Sequence, residues 1–167
     1  MSTIPLNLET DAVALSLPSL SPQITLDQAL KKRHSTRTFL PDMLSLDTLS
    51  ALLWAGFGIN RPDRGGRTAP SAHNWQEIDL YVVLAEGAYR YDVRANRLIL
   101  VKAEDLRRHT GTQDFIAQNI YLYCAGAGLA TVVRGLINRR VLAHALNLTA
   151  TQRIALAQTV GYPGPQA

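Results

Sequence analysis

Apolar residues recur at helical spacing in two stretches of the first third of the chain. Leu26, Ala29 and Leu30 form a stripe behind Thr25, and Gln28 completes a capping-box pattern with that threonine. The spacing predicts a helix that opens at Thr25 and runs into Lys31–Ser35. Pro41 breaks the pattern. Ser45 caps a second predicted helix, with Leu49, Leu52, Leu53 and Phe57 on one face, Trp54 beside them, and Gly56 and Gly58 at its end.

The period then changes. Asn60–Ala69 is polar and glycine-rich, carries Arg61, Arg64 and Arg67, and reads as a mobile loop. Pro70–Gln76 (PSAHNWQ) reads as a turn rich in hydrogen-bonding side chains. Strands are predicted over Asp79–Leu84, Tyr89–Asp92 and Leu98–Val101, the last two joined as a hairpin around Ala95 and Asn96. Leu106–Thr110 fits one helical turn. Asp114–Val133 reads as one long helix rich in small residues: Ala125, Gly126, Ala127, Gly128 and Ala130. A glycine inside a helix costs about 1 kcal/mol against alanine, so close approach of a neighbouring helix or of a ligand must offset it. Arg139–Leu146 predicts a further helix, and Ile154–Val160 a closing strand before Gly161, Tyr162 and Pro163. Ahead of all this, residues 1–24, with Pro5, Pro18 and Pro22, read as an extended arm. The expected organisation is that arm followed by a single domain over residues 25–167.

Composition narrows the function classes. With 167 residues, 47% of them hydrophobic and 18% charged, the chain suits one well-buried domain. A net charge of +4 is compatible with anionic ligands, but the arginines are scattered and form no nucleic-acid footprint. Cys124 is the sole cysteine, which excludes an internal disulfide and argues against a thiolate metal site. Set in an apolar helix, it reads as a core thiol. His34, His73, His109 and His144 show no metal-ligand spacing. No apolar run has the length of a membrane span, and a start carrying Glu9 and Asp11 lacks a signal-peptide pattern, so a cytoplasmic protein is expected. GxSxG, P-loop and GxGxxG motifs are absent, and no nucleophile sits beside a base. No catalytic side chain is nominated.

Three groups of residues remain for chemistry. Lys31–Phe39 (KKRHSTRTF) sets Arg33, His34, Ser35 and Arg37 close together. Guanidinium forks and a hydroxyl match phosphate oxygens, although cations at a helix C-terminus also suit the helix dipole. The second group is the amide pair Asn74 and Gln76, and the third is Val133-Arg134-Gly135. Together they fit an organic cofactor with a phosphate at one end, which would carry the chemistry itself.

The same residues carry a family resemblance. Arg33-His34-Ser35-Thr36-Arg37 resembles the RRSxRxF signature of the FMN-dependent nitroreductase family. Pro70–Gln76 resembles its PSxxNxQ turn before a strand. Gly128–Gly135 (GLATVVRG), with the closing Gly161-Tyr162-Pro163, resembles its third region. LLWAGFGINR, APSAHNWQEIDLYVV and LAQTVGYP are most similar to the SagB-type dehydrogenase branch, and the resemblance runs from about Leu26 to Pro163.

That resemblance implies an α+β, three-layer sandwich with an antiparallel sheet flanked by helices, in an intertwined homodimer holding FMN at its interface. Arg33, Ser35 and Arg37 would hold the phosphate and ribityl end, with His34 contributing through its backbone or ring. The turn of Pro70, Ser71, Asn74 and Gln76 would meet the ribityl chain and ring. Arg134 and Gly135 would lie near the isoalloxazine edge, a backbone N–H poising N5. A ping-pong reaction is implied, in which NADH, NADPH or a substrate gives hydride to flavin N5 and an acceptor removes it. The substrate would be a small molecule or a modified peptide, since the SagB branch oxidises azoline rings in peptides. No metal, nucleic acid or membrane is implied. The alternative is a non-catalytic flavin-binding or partner-binding subunit of a modification complex.

Two departures from the family pattern stand out. Members normally carry a further apolar strand and part of a helix at the junction where Phe115 meets Ile116 here. Many also carry Lys or Arg after the closing strand, where this chain has Gly164-Pro165-Gln166-Ala167.

Overall fold

In the computed structural model, which describes residues 11–18, 24–107, 115–134 and 137–165, the capping box at Thr25 is formed. Thr25 Oγ1 accepts the Gln28 N–H at 3.2 Å, and Gln28 Oε1 accepts the Thr25 N–H at 3.0 Å. Helix α1 (Leu26–Lys32) follows and buries only Ala29. It stops earlier than its pattern predicts: Arg33 is an extended C-cap, so Arg33–Ser35 leave the helix, and from Thr36 the chain pairs with a neighbouring strand. Helix α2 (Leu46–Phe57) forms as expected. Ser45 Oγ accepts the Thr48 N–H, and Leu49, Leu52, Leu53 and Phe57 are buried.

The alternating segments give an antiparallel meander of β4 (Tyr81–Val83), β5 (Ala88–Asp92) and β6 (Arg97–Lys102). The β5–β6 turn ends at Asn96, whose φ of 45° is one that asparagine tolerates. The arm contributes to the sheet. Ala12–Ala14 is a strand, β1, paired antiparallel with β6, so the sheet order is β1-β6-β5-β4. Val13 is buried opposite Leu98, and Asn96 Nδ2 donates to the carbonyls of Leu15 and Ser16.

Side-chain alternation along this sheet separates two cores. Leu80, Val82 and Leu84 pack with Tyr89, Tyr91 and Leu98 against Leu49, Leu52, Leu53 and Cys124. Tyr81, Val83 and Ala88 turn the other way, onto Leu106, Leu142 and Leu146. A strand puts successive side chains on opposite faces, so α2 and α3 (Phe115–Ala127) cover one face and α4 (Arg139–Ala145) the other. The result is a three-layer α+β sandwich. Each fully buried Leu adds roughly 1.5–3 kcal/mol.

The expected helix over 114–133 divides. Gly128, at φ +67°, ends α3, and the Leu129 N–H reaches back to the Cys124 carbonyl in a Schellman-type closure. Ala130–Val133 then forms strand β7, as three β-branched residues in a row favour. Its partner is β8 (Gln158–Gly161), which starts later than the predicted Ile154. Asn60–Ala69 is likewise no plain loop. Strands β2 (Ile59–Arg61) and β3 (Gly66–Arg67) make a small hairpin there.

Candidate functional site

The extended segment after α1 lies on the β7–β8 ribbon. The Thr36 N–H donates to the Thr131 carbonyl, Leu40 N–H to Tyr162, and Gly164 N–H to Thr38. This docking carries Arg33 and Ser35 to Tyr121 of α3. Ser35 Oγ lies 2.9 Å from Tyr121 Oη, which also accepts the Val133 N–H at 3.0 Å. The Arg33 guanidinium carbon stands 5.4 Å from the Tyr121 ring centroid, a cation–π contact. Ser35, Arg33 and the 133–134 segment, far apart in sequence, therefore meet on one tyrosine. Arg134 is exposed, its N–H donating to the Ala157 carbonyl, and Gly135 lies outside the described residues. Arg37 is exposed. His34 is exposed too, its Nδ1 donating to the Lys32 carbonyl at 2.8 Å.

The electrostatics of this group are one-sided. Among the described residues no carboxylate lies within ion-pair distance of Arg33, Arg37 or Arg134. Elsewhere the basic side chains Lys31, Arg64, Arg97, Lys102 and Arg107 each meet an acid. The unpaired Arg33 guanidinium, brought with the exposed Ser35 hydroxyl to one tyrosine, fits the donor set a phosphate monoester needs.

A second group forms around Gln76. Its Oε1 accepts from Arg67 Nε at 2.9 Å, and its Nε2 donates to the Gly65 carbonyl at 2.7 Å and to Asn74 Oδ1 at 2.8 Å. The Gln76 N–H donates to Ser71 Oγ. Both amide hydrogens of Gln76 are used, so it braces the turn and fixes Asn74, whose Nδ2 meets no partner among the described residues. Pro70 is exposed at the start of this turn. His73, Asn74 and Gln76 all hold left-handed backbone angles, φ 49°, 56° and 53°. Conformations of this kind cost of order 1–3 kcal/mol each and persist only where surroundings enforce them.

Arg67 anchors the brace. Its guanidinium is buried, stacks 5.1 Å from the Phe57 ring centroid, and leaves Nη1 without a partner. Burial, and then the charge of Arg94, hold its pKa below the usual arginine value. Beside it, a cavity of about 270 Å³ is lined by Arg61, Arg64, Gly66 and Asn74. A Cβ at Gly66 would displace the Arg61 guanidinium, the far end of a flexible side chain that donates to the Arg67 carbonyl.

Helix α3 stands between the two groups. Ala117 and Tyr121, at i and i+4, reach the β7–β8 ribbon, where Gln158 Nε2 donates to the Ala117 carbonyl. Asn119 and Ile120 reach the other way, to the Thr68 carbonyl and to the Phe57–Ala69 cluster. No hydrogen bond or ring contact joins the two groups within one chain among the described residues. Tyr121, Arg67 and Asn119 escaped the sequence reading. Arg67 stood there only as one of three loop arginines, and nothing around Tyr121 distinguishes it from core.

The nitroreductase family model matches residues 30–114 and 111–162, which together span most of the chain. This chain belongs to the nitroreductase family. A solved structure from Ralstonia eutropha JMP134, provisionally assigned as a nitroreductase, is 36% identical. It superposes with a TM-score of 0.85 over 96% of this chain and 93% of its own. A provisionally named nitroreductase of Methanocaldococcus jannaschii is 29% identical over 102 residues, 58% of this chain and 50% of that protein. The trifolitoxin-processing protein TfxF of Rhizobium leguminosarum bv. trifolii is 35% identical over 89 residues, 48% of this chain and 34% of that protein. The chain thus spans half the length of one of these curated relatives and a third of the other, while nearly matching the length of the solved nitroreductase. The two pieces of the family match meet at residues 111–114, beside the Phe115–Ile116 junction.

Proposed function

We propose that this chain is an FMN-dependent oxidoreductase that works as a homodimer. The observation that carries the reading is the meeting of Arg33, Ser35 and Val133 on Tyr121, with no carboxylate among the described residues paired to Arg33. Arg33, Ser35 and Arg37 would bind the phosphate, with His34 at their side. Asn74, held by Gln76 in the turn of Pro70 and Ser71, would present its Nδ2 donors to the ribityl chain or ring. Arg134, with Gly135, would border the ring. Bound flavin supplies hydride transfer at N5, with NADH or NADPH as donor. The protein's own residues bind it, orient it and exclude water.

The division of the site supports the homodimer. Each chain holds its basic group and its amide group on different sides of α3, and a second copy can bring one group to the other. An apolar surface suited to such pairing exists: Leu26 and Leu30 share a face of α1, and with Leu40 and Met43 they are exposed. The likeness to TfxF supports a SagB-type role on a modified peptide, with a small-molecule acceptor as the simpler case.

The test is direct. Purified protein is expected to be yellow, to release FMN on denaturation, and to oxidise NADH or NADPH with a quinone or nitroaromatic acceptor. Colourless protein that takes up no added FMN would overturn the reading. Flavin bound tightly without turnover would replace it with a non-catalytic flavin-binding subunit.

A further inference from the structure

A tyrosine has no evident reason to sit beside a cluster of cations, yet Tyr121 touches both Arg33 and Ser35. The side chain is buried. Its Oη accepts the Val133 N–H at 3.0 Å, lies 2.9 Å from Ser35 Oγ, and its ring carries the Arg33 guanidinium at 5.4 Å. A phenol has one proton to give. With one lone pair already taken by Val133, two polarities are open to the contact with Ser35. If Ser35 donated, the phenol proton would be left buried without an acceptor, which folded proteins avoid. If Tyr121 donates, every group is satisfied, and the exposed Ser35 hydroxyl keeps its own proton free to point outward.

We propose that Tyr121 is a positioning residue that fixes the direction of a hydrogen-bond relay, Val133 N–H to Tyr121 O–H to Ser35 O–H. The relay makes Ser35 a committed donor toward an anion. Each bond in such a chain polarises the next, which strengthens the last donor. The ring meanwhile holds the Arg33 guanidinium beside that hydroxyl, so charge and directed donor converge on one oxyanion. The proposal takes the identity of the anion, the phosphate monoester of FMN, from the function proposed above.

FMN and riboflavin differ only in that phosphate, and their comparison isolates the relay. Apoprotein is titrated with each flavin for the wild type, Tyr121→Phe, Ser35→Ala and the double variant. Tyr121→Phe keeps the ring under Arg33 and is expected to weaken FMN about tenfold while riboflavin stays within about twofold. Ser35→Ala should give a similar FMN-selective loss. The double variant should lose about as much as either single one, because the two residues act as one chain. Unchanged FMN affinity in Tyr121→Phe, a parallel loss of riboflavin, or losses that multiply in the double variant would each overturn the relay. A wild-type protein that binds neither flavin would remove the cofactor reading and the relay with it, a result separable from the others because it needs no variant.

Discussion

Arg67 donates through Nε to Gln76 Oε1 at 2.9 Å, and this bond ties the β2–β3 hairpin to the turn that carries Asn74. The hairpin accepts in return, through the Gly65 carbonyl, from Gln76 Nε2. A segment that looks mobile by composition is thereby held at both ends of one glutamine, while Phe57 supports the arginine from below.

Removing that glutamine tests the brace. In Gln76→Ala the Arg67 Nε would join Nη1 as a buried donor without a partner, and Asn74 would lose its anchor. Leaving a buried donor unsatisfied costs about 1–3 kcal/mol, so urea unfolding should show a loss of about 2 kcal/mol with the slope unchanged. A loss below about 0.5 kcal/mol would mean that the hairpin stands without the brace.

Arg33 offers a test of the proposed phosphate grip that leaves the Tyr121 hydroxyl in place. Arg33→Ala should weaken FMN binding by about 1.5–3 kcal/mol, the range for hydrogen bonds to charged groups. Arg33→Lys should restore only part of it, since a point charge lacks the planar fork and stacks poorly on Tyr121. Flavin fluorescence quenching measures both. Equal affinity in wild type and Arg33→Ala would take the residue out of the site.

How far these groups were legible in the sequence depends on whether their signals are local. The capping box at Thr25, the Ser45 cap and the meander over β4–β6 rest on spacings within a few residues, and each forms. Strand β1 was hidden because Ala-Val-Ala carries no alternation of its own and pairs with residues more than eighty positions away. The end of α3 was hidden because Gly128 follows other small residues, so a terminator looked like packing, and apolar β7 continued the run. Arg33, Ser35 and Val133 meet on Tyr121, while the amide pair Asn74 and Gln76 stands apart from them within one chain. The residue that joins them was not foreseeable, since a tyrosine's two polar contacts arise only once the helix and ribbon have docked.

Cys124 gives a pH prediction. Burial pushes its thiol up from 9.0 to about 12, opposed by a hydrogen bond with Thr131. The folded chain therefore keeps a proton that the unfolded chain releases. Its contribution to stability is complete below about pH 9 and is lost progressively as pH rises toward about 12. Across that window Cys124→Ala should show a flatter fall in stability than the wild type. At pH 8 the native thiol should react slowly with a disulfide reagent and quickly after denaturation. Rapid reaction of the native protein would contradict the burial.

The exposed face of α1 gives the last prediction. Leu26 is 66% exposed and Leu30 52%, one helical turn apart, so a solitary chain would hold a leucine pair in water. Substituting both with glutamate removes the apolar pair and places like charges on each copy's facing surface. Because neither side chain supports the chain's own core, each change should alter the stability of the single chain by no more than about 0.5 kcal/mol. Wild-type protein is expected to sediment at twice the chain mass, and Leu26→Glu with Leu30→Glu at the chain mass with an unaltered circular dichroism spectrum. If two copies complete the proposed site, FMN binding should fall with the dimer, because the Arg33 group of one copy would lose the Asn74 group of the other. A variant that remains dimeric would place the interface elsewhere, and a monomer that keeps full FMN affinity would show that one chain completes the site alone.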